Sequence, residues 1–180
     1  MRARRAQASP VTVLTPIVPG ERDALESYLT GLGNAPGGSP LARVPGTHFA
    51  RWVIVPDLVT DPKQPAPDPL GSSHLLFTSN VDGSADAYLA AVADTLTAEA
   101  PEIWGRCVGC PQPATGAGLA RYLRHNAIGT GLFFAAYPRA TVQEVKAALP
   151  VHDRFVRLLV DTQLAGPAAI RAAFLKEFRP

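Results

Sequence analysis

The stretch Thr47–Val55, THFARWVIV, decides how this chain is read. It is rich in β-branched and aromatic residues and lies between a Gly/Pro-rich loop (Pro36, Gly37, Gly38, Pro40) and Pro56, which is the pattern of a strand. Period-two alternation sets His48, Ala50, Trp52 and Ile54 on one face and Phe49, Arg51, Val53 and Val55 on the other. One face must meet a helical layer, where an unpaired arginine would be too costly to bury. Arg51 is therefore expected on the face turned away from the helices, either holding the anionic group of a ligand or pairing with a carboxylate across a subunit interface. His48 would share the face of Trp52, as a hydrogen-bonded packing residue or as a base or metal ligand.

Working outward, Val11–Val18 reads as a first strand closed by Pro19-Gly20, and Leu25, Tyr28, Leu29 and Leu32 mark an amphipathic helix stopped by Gly33-Asn34. Beyond the opening stretch, the chain from Pro56 to Ser73 holds five prolines and is expected to be a long loop able to act as a lid. Ser73–Val81 is a third strand. Ser84 caps a helix whose buried stripe is Ala85, Tyr88, Leu89, Val92 and Leu96. An irregular crossover leads to a short helix with Leu119, Tyr122 and Leu123 on one face, and a fourth strand is expected in TGLFFAAY, Thr130–Tyr137. Thr141 and Glu144 stand in capping-box positions, and a last helix is expected from about Ala168 behind Gly166-Pro167. The order β-α-β-β-α-β followed by helices predicts an α+β, ferredoxin-like fold: a four-stranded antiparallel sheet with additional C-terminal helices. The reading is one such domain over residues 10–180 behind a disordered basic leader, residues 1–9.

With 180 residues the chain can bury a sizeable core without disulfides or metal. Only 18% of residues are charged against 47% apolar, which suggests that part of the surface meets another subunit and predicts a homo-oligomer. Residues 11–120 hold five basic and eleven acidic residues, whereas residues 121–180 hold nine basic and four acidic. The basic residues are dispersed and lack aromatic interleaving, so no nucleic-acid partner is expected. No apolar run approaches the roughly 18 residues of a membrane span. The charged start has no apolar stretch behind it, so the expectation is a protein without membrane contact, in the cytoplasm.

Motifs for particular reactions are sparse. Cys107 and Cys110 form a CxxC that can be a dithiol or a pair of inert thiols in a turn; it lacks both a second ligand pair for zinc and the strand-CxxC-helix setting of a redox site. His48 has no metal-ligand companion at suitable spacing, and His74 alone would leave a metal site incomplete. No phosphate-binding glycine loop occurs.

Together PGTHFARWVIV (Pro45–Val55), LLFTSNVDG (Leu75–Gly83), IWGRCVGCP (Ile103–Pro111) and FFAAYP (Phe133–Pro138) resemble a group of uncharacterised actinobacterial proteins similar to the dimeric α+β-barrel superfamily. That resemblance implies a homodimer with a ligand pocket, in a superfamily that includes haem peroxidases, cofactor-poor monooxygenases and plain binding proteins. SNVDG, Ser79–Gly83, distantly resembles the GxxDG of dye-decolourising peroxidases, which would give Asp82 a role beside haem. Ser79 departs from that motif, and Asp82 reads more readily as a turn or cap residue than as a haem-side acid. His125 and His152 are the other histidines from which a haem ligand would have to come. No cofactor is predicted from the residues themselves, and haem enters only through the resemblance. The expected function is binding of a small apolar or aromatic molecule, with oxidative chemistry as an extension and a non-catalytic oligomeric protein as the alternative. The expected ligand residues are Arg51, Phe49, Phe77, Asn80 and His48, with Phe133 or Phe134 as further walls.

Overall fold

Alternation in Ala8–Pro16 buries Val11, Val13 and Thr15 and makes this segment the first strand, β1. In the computed structural model, which describes residues 8–57, 63, 66 and 69–178, β1 pairs antiparallel with β3 (His74–Asp82). β3 in turn pairs antiparallel with β2 (Thr47–Val55), giving the order β1-β3-β2. The protein is thus α+β, with a three-stranded antiparallel sheet and six helices among the described residues. Residues 1–7 of the expected leader lie outside the described residues, and Ala8 and Ser9 already belong to β1.

One face of the sheet is the core. Helix α1 (Arg22–Gly33) contributes Leu25, and α2 (Ala85–Thr95) contributes Tyr88, Leu89, Val92 and Ala93. Ser84 accepts from the Ala87 N–H at 3.1 Å, as its N-cap position requires. The short α3 (Ala100–Ile103) runs into a 3₁₀ turn that buries Trp104, and α4 (Gly116–His125) inserts Leu119, Tyr122 and Leu123. Trp52, Phe77 and Trp104 meet in the middle with ring centroids 5.6–5.9 Å apart, a spacing at which aromatic pairs add to plain area burial.

The expected fourth strand does not form. After α4 the chain reaches the outer edge of β1, where Leu14 N–H donates to the Asn126 carbonyl and Ile128 N–H to that of Thr12. Contact resumes only where Ala8 N–H donates to the Pro138 carbonyl, so five residues of β1 span what eleven residues of the returning chain span. The outward donors of β1 belong to its even-numbered residues, and two of these, Pro10 and Pro16, have none. Pro10 lies where the return chain leaves the edge, and a ladder cannot cross that gap. Residues 129–137 loop away, leaving Leu132, Phe134 and Tyr137 exposed.

Residues 140–180 make a second compact unit. Thr141 and Glu144 form the anticipated capping box at the start of α5 (Val142–Thr162). Gly166 precedes α6 (Pro167–Glu177), and Arg154 on α5 donates to Glu177 at 2.8 Å with its guanidinium 4.9 Å from the Phe178 ring centre. Neither helix has a buried residue.

Candidate functional site

Opposite the core, the sheet presents rows that run across three strands: Pro10, Asn80, Phe49; Thr12, Thr78, Arg51; Leu14, Leu76, Val53. Arg51 is on this open face, as its charge requires, and Phe49 beside it is 76% exposed. Its Nε donates to Thr78 Oγ1 at 3.2 Å, which aims the guanidinium across the sheet. Among the described residues no carboxylate lies within ion-pair distance of Arg51. A shallow groove of about 400 Å³ is lined by Phe49, Ala50, Arg51, Thr78, Ser79 and Asn80. The groove therefore offers a cation, an amide, a hydroxyl and one aromatic wall. The size is that of a small-ligand site.

His48 is not where alternation put it. β2 carries one extra residue between Thr47 and Phe49, a β-bulge opposite the Val81–Asn80 step of β3. Thr47 consequently meets Tyr88 on the core side, its Oγ1 3.0 Å from the phenol oxygen. His48 turns to the open side, where Nε2 lies 2.8 Å from Asp82 Oδ1. Both side chains are about four-fifths buried, at 19% exposure each. This corrects the expectation that His48 shares the face of Trp52: an inserted residue reverses the phase of everything before it. Asp82 is neither cap nor turn residue here, since the cap is Ser84 and the carboxylate holds His48. Gly46, at φ +74°, accepts the Asp82 N–H, and a Cβ there would come within 3.2 Å of the Asp82 Cβ.

Ser79, the residue that departs from the GxxDG pattern, supports the bulge. Its hydroxyl donates to the Phe49 carbonyl at 2.9 Å and lies 3.1 Å from the Tyr88 hydroxyl. The Ser79 hydroxyl thus ties β3 to the bulged end of β2 from the buried side, next to the residue that the bulge inserts. Its oxygen faces the core, so it is no nucleophile for the groove.

The chain matches no protein-family model, no curated protein and no solved structure.

Of the five expected ligand residues, the structure brings Phe49, Arg51 and Asn80 together in the groove and sets His48 on the same face without lining it. Phe77 is a correction. Its odd position on β3 sends it into the core at 0% exposure, between Trp52 and Trp104. Phe133 and Phe134 are on the loop leaving β1, away from the groove lining. Thr78 was missed; the signal was its pairing with Arg51, which the antiparallel register alone supplies. The expected lid falls largely outside the described residues, though its ends are tied by Leu70 N–H donating to Asp57 at 2.8 Å.

The groove lining contains no histidine, cysteine, methionine or tyrosine that could serve as an axial haem ligand, and on the same face the Nε2 of His48 lies 2.8 Å from Asp82. His74 shares the open face but lies four residues along β3 from Thr78, about 13 Å away. Among the described residues, no group of three or more His, Cys, Asp and Glu side chains is placed to hold a metal ion. The two cysteines are free. Burial pushes the Cys107 thiol up to about 11, partly offset by the Thr15 hydroxyl, and burial followed by the neighbouring Cys107 pushes Cys110 up to about 12. Both thiols are thereby held protonated at neutral pH, which disfavours the thiolate attack that dithiol exchange needs. No helix among the described residues is long and apolar enough to cross a membrane.

Proposed function

We propose that this protein binds a small anionic molecule with an apolar or aromatic body on the open face of its sheet. The observation that carries the reading is Arg51, held by Thr78 in a groove beside Phe49 and Asn80, with no carboxylate at ion-pair distance among the described residues. Arg51 binds the anionic group, Phe49 covers the apolar body, and Asn80 and Thr78 complete the polar contacts. The His48–Asp82 pair is a positioned acid–base group on the same face, available if the bound molecule is also transformed.

A groove this open is completed by a second sheet. The row Leu14, Leu76, Val53 leaves apolar surface facing away from the core, and stacking two copies face to face would cover it. This is the arrangement of dimeric α+β barrels. The order β1-β3-β2, with the return chain touching the outer edge of β1, supports placing the domain among ferredoxin-like folds whose fourth strand has been reduced to a bridge. The alternative, a non-catalytic oligomer, is favoured by the same uncovered row.

The two are separated by a thermal-shift series with aromatic carboxylates and the corresponding neutral amides. The binding reading expects carboxylates alone to raise the melting temperature, and Arg51→Met to weaken them by about tenfold, the worth of one charge-assisted contact at a partly exposed site. Equal responses to acids and amides, or an Arg51→Met protein that binds as before, would overturn it.

A further inference from the structure

The C-terminal hairpin carries a second feature that the ligand reading does not use. On α5, Val142, Val145, Leu149, His152, Val156 and Leu159 recur at steps of three, four, three, four and three residues. That is a heptad seam with one polar position. At about 100° per residue, it lies nearly opposite the half-buried side of α5 formed by Arg154, Leu158 and Thr162. Val145, Leu149, Val156 and Leu159 are 42–59% exposed. Two helices without a buried residue have too little core to hold together alone, and the seam is apolar surface available to supply one.

We infer that two copies of this chain pair through the seam, α5 against α5 and antiparallel. Twofold pairing centred between Pro150 and Val151 sets Val142 against the partner's Leu159, Val145 against the partner's Val156, and Leu149 against the partner's His152. Every seam residue then meets a seam residue, the self-complementarity that a twofold contact demands. The flanking charges choose the direction. Lys146 and Asp153 each follow a d-type residue, so in the antiparallel pair Lys146 faces the partner's Asp153, twice by symmetry. In a parallel pair, Lys146 would face Thr141 and Asp153 would face Ala148, and no opposite charges meet. Within one chain Asp153 has the exposed His152 at 3.4 Å, and among the described residues Lys146 has no carboxylate at ion-pair distance. Pro150, on the opposite side from the contact, costs the seam nothing directly.

A seam of about 27 Å is small beside an interface of standard size, so the pairing is concentration-dependent. It does not depend on the groove at Arg51. Sedimentation velocity of the full chain from about 2 to 200 µM, a range bracketing a micromolar constant, tests it. Lys146→Asp turns both charge pairs repulsive and weakens the dimer by about tenfold, and Asp153→Lys added to it restores the constant. His152→Leu tightens the dimer by about tenfold, a gain that misfolding cannot imitate. A chain that is monomeric throughout overturns the inference. So does a dimer indifferent to both Lys146→Asp and His152→Leu, which would locate association elsewhere, such as the open sheet face. Failure of the double charge exchange to restore pairing would refute the antiparallel direction.

Discussion

Replacing Ser79 by alanine tests the bulge that places His48 and the groove. The residue is buried at 3% exposure, so alanine fits without strain and removes one oxygen. That oxygen donates to the Phe49 carbonyl at 2.9 Å and meets the Tyr88 hydroxyl at 3.1 Å. Its loss removes one buried hydrogen bond to the bulged end of β2, worth about 0.5–1.5 kcal/mol. Tyr88 keeps Thr47 at 3.0 Å, so the second partner adds little to that figure. At about 2–4 °C per kcal/mol for a chain of this size, the melting temperature should fall by about 1–6 °C. Urea unfolding followed by far-UV circular dichroism gives the free energy directly, and an unchanged m-value would show that the native surface is preserved. Tyr88→Phe alone should cost less, and the double variant should cost less than the sum because the two hydroxyls share one network. A Ser79→Ala protein within about 0.5 kcal/mol of wild type, the scatter of surface substitutions, would refute the role given to Ser79.

The two phenylalanines assigned together from sequence should part: Phe77→Ala costs about 3–5 kcal/mol in urea unfolding, whereas Phe49→Ala changes stability by less than about 0.5 kcal/mol and affects ligand binding instead. Phe134→Ser, at 84% exposure on the loop that replaces the fourth strand, should leave the unfolding midpoint in place, and a loss above 1 kcal/mol would reinstate a strand there. The thiols predict a pH dependence. Their folded values are raised from the ordinary 9.0 to about 11 for Cys107 and about 12 for Cys110, so their contribution is complete below pH 9 and is lost as pH climbs toward those values. Stability measured from pH 8 to 11 should decline less in Cys107→Ala than in wild type; parallel curves would show that the thiol does not contribute.

Much of the fold was legible because it is local. The β2 boundaries, the Ser84 cap, the stripe Tyr88, Leu89, Val92 and the Thr141–Glu144 capping box all follow from interactions within a few residues. The sequence by itself also determined that Arg51 must avoid the helical layer, since no apolar core admits a lone guanidinium. What it left open depends on partners distant along the chain. Whether Thr130–Tyr137 becomes a strand was decided by Pro10, more than a hundred residues earlier, which removes a donor from the edge that strand would need. Which way His48 faces was decided by one unpaired residue against β3, and an insertion in register is invisible until the two strands lie side by side. Phe77 was lost to the groove for the same reason: alternation divides a strand into two faces, but only tertiary packing says which of them is the core.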